Sequence, residues 1–267
     1  MSQSSGATAP DILDAERGGR STPTFSDAAR AGALQRVNRR PRRWGVWLEW
    51  AKIFQVAILL SLVVRTLFVE AFKIPSGSME RTLLVGDFLL VNKLAYGAEV
   101  PFTGKRLPAL SPVRRGDVVV FQWPEDPEKN FVKRVVGTAG DTVEMQRGAL
   151  FVNGRPQVEQ YASHNDPTGD PSVDDFRWQR MHLAASPRYG YRPSRNTWGP
   201  LVVPPAHIFV LGDNRDNSLD SRYWGFVPDS LIRGRPLFVY FSYAPDTTAR
   251  SAILERIRWA RLGERIE

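Results

Sequence analysis

Cysteine is absent from all 267 residues. That gap removes disulfides, thiol nucleophiles and cysteine-ligated metals in one step. It fixes no compartment, because a domain large enough to build its own core needs no covalent staples. Histidine is scarce. His164, His182 and His207 are the whole supply; they lie in or beside one polar stretch and offer no Ser/His/Asp arrangement. No internal repeat and no base-reading module stands out, so nucleic acid is left without a reader. Long apolar runs number one. What remains is ample for a core, at 42% hydrophobic content. Twenty prolines and twenty-one glycines among short β-branched runs point to a β-rich body rather than a helical bundle.

The formal charge of +8 is concentrated at the ends. Residues 1–43 carry eight Arg against Asp11, Asp14, Glu16 and Asp27, a net +4. From residue 249 onward five Arg face three Glu, a net +2. Basic ends of this kind fit a chain whose termini lie near anionic lipid.

The apolar run covers 46–69 and is densest from Ile53 to Val64. As a helix it would span roughly 36 Å, enough for a hydrocarbon core of ~30 Å. Glu49, Lys52 and Arg65 sit toward its ends, where long side chains snorkel. Trp44, Trp47 and Trp50 form an interfacial cluster at one end. Arg30, Arg36, Arg39, Arg40, Arg42 and Arg43 precede the run, which by the positive-inside rule puts the N-terminus in the cytoplasm and the rest outside. Two other readings stand beside this one: a buried core helix, and a cleaved leader with its cut near Val69-Glu70-Ala71. The permanent anchor is the expectation, because more than forty residues precede the run where a leader has a short basic segment. Residues 1–45 read as a disordered cytoplasmic arm.

The body after Glu70 is written in strands and turns. Residues 87–91, 117–123, 131–136, 208–211 and 237–243 are apolar β-type runs. Residues 142–145 and 150–152 read as a hairpin across Arg147-Gly148, with a second turn at Asn153-Gly154. Pro156 argues against a central strand there. The organisation expected is a catalytic β core from 70–141 and 207–246, an inserted β-hairpin and irregular subdomain over 142–206, and a basic C-terminal helix or tail over 247–267. Residues 252–266 are the helical candidate, amphipathic through Ile253, Ile257 and Trp259.

Chemistry concentrates in Ile74-Pro75-Ser76-Gly77-Ser78-Met79, just past the apolar run. A serine hydroxyl is a poor nucleophile until a neighbouring base takes its proton. Lys133, within Phe131-Val132-Lys133-Arg134-Val135-Val136, is the candidate base. Its ordinary pKa of ~10.4 leaves almost no free amine at pH 7, but burial among apolar neighbours lowers it by up to ~3–5 units. Strand alternation turns Arg134 to the other face. The plainer reading of Lys133 is an exposed strand lysine. The Ser78 N–H and the Ser76 hydroxyl are candidate donors to a developing oxyanion, if the Pro75–Gly77 segment turns tightly; the plainer reading is a common Pro-Ser-Gly-Ser turn.

A third block runs over 212–226: Gly212-Asp213-Asn214-Arg215-Asp216-Asn217-Ser218-Leu219-Asp220-Ser221-Arg222-Tyr223-Trp224-Gly225-Phe226. Asp213, Asp216 and Asp220 invite a calcium reading, but Arg215 and Arg222 among them and the missing EF-hand spacing argue against a cation. Gly97 to Lys105 lacks the glycine spacing of a phosphate loop, and Arg106 stands where Ser/Thr belongs.

Taken together, Ile74-Pro75-Ser76-Gly77-Ser78-Met79, Arg115-Gly116-Asp117-Val118-Val119-Val120-Phe121, Lys133-Arg134-Val135-Val136-Gly137 with Gly140-Asp141, and the 212–226 block resemble bacterial type I signal peptidase (leader peptidase), a Ser–Lys dyad peptidase. The resemblance covers about half of the chain after the anchor. It implies a mainly β, membrane-anchored β-sheet catalytic domain with an inserted second subdomain and one N-terminal transmembrane helix. It implies a serine endopeptidase that removes N-terminal signal peptides from exported preproteins after small residues. Ser78 would be the nucleophile, Lys133 the general base, Ser76 an oxyanion donor, and Ser218 a hydroxyl that bonds and orients the Lys133 amine. Asp213 with Arg134 and Asp220 with Arg222 would be supporting ion pairs. Phe72, Ile74, Met79, Leu83, Leu89, Val120, Phe131 and Val132 would line two shallow pockets for the small residues one and three before the cut. No cofactor or metal is implied. The partners would be signal peptides of secretory preproteins, the lipid bilayer and the protein export channel, with no nucleic acid, in the bacterial plasma membrane. Arg81, where the family often has Pro, implies a looser turn after the nucleophile; Phe131 stands where Tyr is frequent. Two rival functions are weighed: a self-cleaving repressor of the Ser–Lys class, which needs a DNA-binding domain in place of the anchor, and a non-enzymatic membrane scaffold, which would tolerate loss of Ser78 and Lys133.

Overall fold

The β-branched runs pair into eleven strands among the residues that the computed structural model describes, namely 43–100, 103–166, 170, 172–185, 190–245 and 256–266. The arm expected over 1–45 lies outside them as far as residue 42. In chain order the strands are β1 (Val69–Lys73), β2 (Asp87–Asn92), β3 (Val118–Trp123), β4 (Asp126–Thr138), β5 (Thr142–Gln146), β6 (Ala149–Val152), β7 (Arg155–Pro156), β8 (Trp198–Val202), β9 (His207–Leu211), β10 (Val227–Pro228) and β11 (Ile232–Ser242). Seven form one sheet in the order β1-β2-β11-β3-β4-β9-β10, and four form a second in the order β7-β6-β5-β8. Neighbours in both are antiparallel.

Before the strands comes a single long helix, α1 (Arg43–Leu67), of 25 residues. Its stretch Gly45–Leu67 has mean hydropathy 1.6 and none of its most apolar window is buried, so it is long and apolar enough to cross a membrane. The run expected as helix to residue 69 stops at Leu67. Val69 already pairs with Asn92 in the β1–β2 ladder.

Strand patterning explains the two cores on either side of the large sheet. Ile74, Met79, Leu83, Leu89, Val91, Val118, Val120 and Val239 pack into one cluster. Val119, Phe121, Val135, Ile208, Val210 and Val227 pack into another. β4 runs five residues earlier than its apolar stretch, because polar Asp126 to Asn130 complete a hairpin against Gln122 and Trp123.

The polar stretch over 142–206 is more regular than its composition indicates. The hairpin β5–β6 turns on Arg147 and Gly148, both at positive φ (48° and 83°), the backbone twist that two-residue hairpins prefer. β7, with Pro156, lies at the edge of its sheet, where a missing N–H costs no ladder bond. Val143, Met145, Leu150, Val152, Trp198 and Leu201 share one cluster with Val136, Phe209 and Leu211 of the large sheet. The small sheet is therefore packed onto the large one.

The basic amphipathic helix expected over 252–266 is not formed by the described residues 256–266. They make one 3-10 turn, Trp259–Arg261, and run back along β11 through the bridges Tyr243–Ile257 and Phe238–Arg265. Ile266 enters the first core cluster. The reason is electrostatic as well as apolar. Asp87 is fully buried, and Arg261 donates to it at 2.7 Å while also bonding Thr82 O at 3.0 Å. Removing Arg261 would leave the buried Asp87 carboxylate with only the longer pair to Arg258, at 3.9 Å. Ser242 Oγ, at 2.6 Å, and the Leu84 N–H, at 2.8 Å, would still bond Asp87. Arg261→Ala is accordingly expected to lower unfolding stability by about 2 kcal/mol, read from the denaturant midpoint; an unmoved midpoint would show that the tail does not support the sheet.

Candidate active site

The chain leaves β1 through Ile74 and Pro75 and is pinned at once to the start of β2. Ile74 donates to Asp87 O at 2.8 Å and accepts from Gly86 N at 3.0 Å. Ser76, exposed and extended, leads into a 3-10 turn, Gly77–Met79, that carries Ser78. Met79 is buried and its carbonyl accepts from Leu83 N at 2.7 Å, so the turn is anchored by a side chain on one edge and a backbone bond on the other. The Ser76 and Ser78 hydroxyl oxygens stand 3.5 Å apart. The Ser78 carbonyl accepts from Asn214 N at 3.1 Å, and Asn214 Nδ2 donates to Gly77 O at 3.3 Å. The serine turn is thus held by the 212–217 loop.

Lys133 sits on β4 opposite Val119 of β3. Its amine reaches Ser78 Oγ at 2.6 Å and donates to Val132 O at 3.2 Å, with the Phe131 ring centre 5.3 Å away. Only 4% of the residue is exposed. Burial disfavours the ammonium form and lowers the pKa to about 8; Asp220 and Asp213 oppose that fall, and Arg222 adds to it. The exposed-lysine reading is set aside by this position.

The loop over 212–222 is organised by arginine–carboxylate pairs. Arg134 grips Asp213 through two bonds, 2.9 and 2.8 Å, and Thr82 Oγ1 donates to the same carboxylate at 2.5 Å. Arg222 grips Asp220 at 2.8 Å twice, both side chains fully buried. Burial alone would raise the Asp220 carboxyl, but the Arg222 guanidinium, with the Gly212 N–H and the Ser218 hydroxyl, outweighs it and holds the group below the usual carboxylate range. Asp220 also caps the short helix α2 (Ser221–Trp224) by accepting from Arg222 N. Asp216 lies 3.2 Å from Arg195. Each carboxylate of the calcium reading has an arginine beside it. His164 faces Asp216 at 3.8 Å, His182 packs on Trp178 and Phe226, and His207 meets Pro205 O; none of them lines the cleft at Ser78.

Ser218 does not make the bond to Lys133 expected of it. Its hydroxyl is buried and acts on the Asp220 carboxylate, which it helps to hold ionised. It packs instead against Gly212, whose N–H donates to Asp220 at 3.1 Å. A Cβ on Gly212 would overlap the Ser218 hydroxyl and lie 2.5 Å from Ser78 O. Only glycine lets the loop approach the nucleophile's backbone this closely.

A cleft of about 350 Å³ opens beside Ser78 and Lys133. Of the eight residues expected to line it, Phe72, Ile74, Met79, Phe131 and Val132 do. Leu83, Leu89 and Val120 do not: they are fully buried in the cluster behind Ile74 and Met79. Asn130, Asn217 and Leu219 line the cleft without having been singled out; Asn217 and Leu219 flank Ser218, so their position was readable. Thr82, Glu159 and Tyr161 were missed altogether. Arg81 has φ 87°, a conformation barred to proline, whose ring fixes φ near −65°. Its guanidinium donates to Ala162 O at 3.0 Å, so the turn after the nucleophile is tied down.

Displacing a reacting group by ~1 Å costs up to ~10²-fold in rate. Gly212→Ala is expected to lower kcat toward that extent while the protein stays folded. A parental kcat in a folded Gly212→Ala protein would mean that this contact does not set the nucleophile's position.

Comparison with known proteins agrees with the geometry. A family described as "Signal peptidase, peptidase S26" matches residues 47–241. Signal peptidase I of Pseudomonas aeruginosa is 40% identical over 228 residues, covering 80% of this chain and 77% of its own length. That of Aquifex aeolicus is 34% identical over 229 residues, covering 73% and 85%. A solved signal peptidase I from Enterococcus faecalis has 28% identity, covering 48% of this chain and 98% of its own, with a TM-score of 0.33. With a buried Ser–Lys pair at an apolar cleft and a match over most of its length, this chain belongs to the signal peptidase family, peptidase S26.

Proposed function

We propose that this chain is a membrane-anchored serine endopeptidase that removes N-terminal signal peptides from exported preproteins, cutting after small residues. The observation that carries the reading is the 2.6 Å approach of the buried Lys133 amine to Ser78 Oγ at the mouth of an apolar cleft. A pKa of about 8 leaves roughly a tenth of Lys133 neutral at pH 7, enough to act as a base.

In the first step the neutral amine takes the hydroxyl proton as Ser78 Oγ attacks the scissile carbonyl carbon. The oxygen of the tetrahedral intermediate is stabilised by the Ser76 hydroxyl and the Ser78 N–H. The Lys133 ammonium then returns its proton to the departing amine, the C–N bond breaks, and an ester to Ser78 remains. Water, deprotonated by the same amine, hydrolyses the ester and restores the hydroxyl. Asp213–Arg134 and Asp220–Arg222 support the loop without exchanging protons. The shallow apolar walls of Phe72, Ile74, Met79, Phe131 and Val132 favour small side chains near the cut.

Ser78 follows α1 by eleven residues, which suits a substrate whose own apolar segment lies in the bilayer and whose cut site lies just outside it. The arginines before α1 favour a cytoplasmic N-terminus and a catalytic domain on the outer face of the plasma membrane. The protein export channel is the neighbour from which such a substrate would arrive.

With a secreted precursor in detergent, Ser78→Ala and Lys133→Ala should each abolish cleavage, and Ser76→Ala should lose ~10²–10³ in kcat. Full activity of either of the first two would reject the mechanism. The rate should also rise with pH through about 8, because only the deprotonated Lys133 serves. A flat profile between about pH 6 and 10 would show that Lys133 is not the base.

A further inference from the structure

The nucleophile turn, the strand that carries Lys133 and the 212–217 loop all touch one further piece of chain, residues 159–163 of the inserted subdomain. Glu159 takes both arms of Arg215, at 2.7 and 2.8 Å, and Arg215 Nε donates to Gly212 O at 3.1 Å. The pair is nearly inaccessible, with side-chain exposures of 1% and 7%. The Tyr161 hydroxyl donates to Glu159 at 2.9 Å, and its ring lies 3.8 Å from the Arg134 guanidinium carbon. Ala162 O accepts from Arg81, two residues past Met79. Ser163 bridges in parallel to Asn214: its N–H donates to Asp213 O at 2.8 Å and its carbonyl accepts from Arg215 N at 3.0 Å.

We propose that residues 159–163 form a brace that fixes the Ser78 turn and the 212–217 loop against the Lys133 strand, with Tyr161 and Glu159 as positioning residues. The argument is one of connectivity. Ser78 and Lys133 stand on separate elements 55 residues apart in sequence, and a 2.6 Å contact between them survives only if those elements keep register. Tyr161 covers Arg134, the neighbour of Lys133. Glu159 holds Arg215, which holds the carbonyl of Gly212, the residue whose backbone closes on Ser78 O. Glu159 and Tyr161 share a hydrogen bond, so the two ends of the brace move together. A planar guanidinium stacked on an aromatic face is also far less free to swing than an exposed one. None of residues 159–163 lines the cleft, so the brace acts on the reacting atoms and not on substrate contact.

The test rests on the peptidase reading and uses the full chain in detergent, with a secreted precursor as substrate and amide hydrogen exchange as a second readout that needs no substrate. Tyr161→Leu is expected to lower kcat at least tenfold with KM within twofold, and to speed exchange over 212–215 at least tenfold while β5 and β6 keep parental protection. Tyr161→Phe, which keeps the ring over Arg134, should recover at least a third of parental kcat. Parental kcat and exchange in Tyr161→Leu would overturn the brace, as would a raised KM with parental kcat. Should Tyr161→Leu fail to fold, Glu159→Gln decides: the same kcat loss supports the proposal and a parental kcat overturns it. Should the unaltered chain fail to cleave the precursor, the peptidase reading falls while exchange over 212–215 still decides the brace, faster exchange supporting it and unchanged exchange overturning it.

Discussion

The active site depends on weakening the hold of one amine on its proton in a protein interior that also contains carboxylates. Desolvation pushes Lys133 toward neutrality, and Asp220 and Asp213 push back. Were either carboxylate bare at that depth, its field in a medium of low polarity would hold the proton on the lysine. Each is therefore tied to a guanidinium, Asp213 to Arg134 and Asp220 to Arg222. What reaches the amine is the field of paired charges, which falls away faster than that of a single anion. The arginines thus make two acidic side chains tolerable next to a base, which accounts for the density of Asp and Arg in a loop that takes no part in bond making.

The second constraint is backbone proximity. The 212–217 loop approaches so closely that Asn214 bonds the nucleophile's own carbonyl, and Gly212 leaves no room for even one added methyl carbon. Side-chain pairing and backbone contact reinforce each other here. The ion pairs set the electrostatic environment of Lys133, while the close approach sets where Ser78 stands within it. Neither element alone contains both reacting groups.

Ser78 and Lys133 were legible because each announces itself locally: a Pro-Ser-Gly-Ser turn just past an apolar helix, and a lysine embedded in a β-branched strand. The Asp213–Arg134 and Asp220–Arg222 pairs, implied by family resemblance, stand as expected. Distinguishing cleft from core was not possible at this level. Leu89 and Val120 have the same composition of neighbours as Ile74 and Val132, and only the stacking of the cluster behind the sheet decides which face meets solvent. Tyr161 and Glu159 were invisible because their partners lie 27 and 56 residues from them in sequence and the surrounding stretch has no periodicity to mark an inward face. Residues 252–266 misled for the opposite reason. Their apolar spacing suits a helical stripe, but over 256–266 it is used to place Ile257 and Ile266 against β11, and tertiary pairing overrides local pattern when a buried carboxylate needs a cation. Ser218 shows a further limit: its place beside Gly212 was legible, but the bond to Lys133 expected of it is not made.

The Arg261–Asp87 pair has a consequence for biosynthesis. β2 is laid down early and carries its carboxylate into the interior beside the serine turn, yet the guanidiniums of Arg258 and Arg261 that neutralise it are translated some 170 residues later. A nascent chain still on the ribosome must keep Asp87 hydrated, with the sheet edge around Ile74 loosely closed. The buried carboxylate of β2 is therefore fully paired only when residues 258–261 have folded back over the sheet.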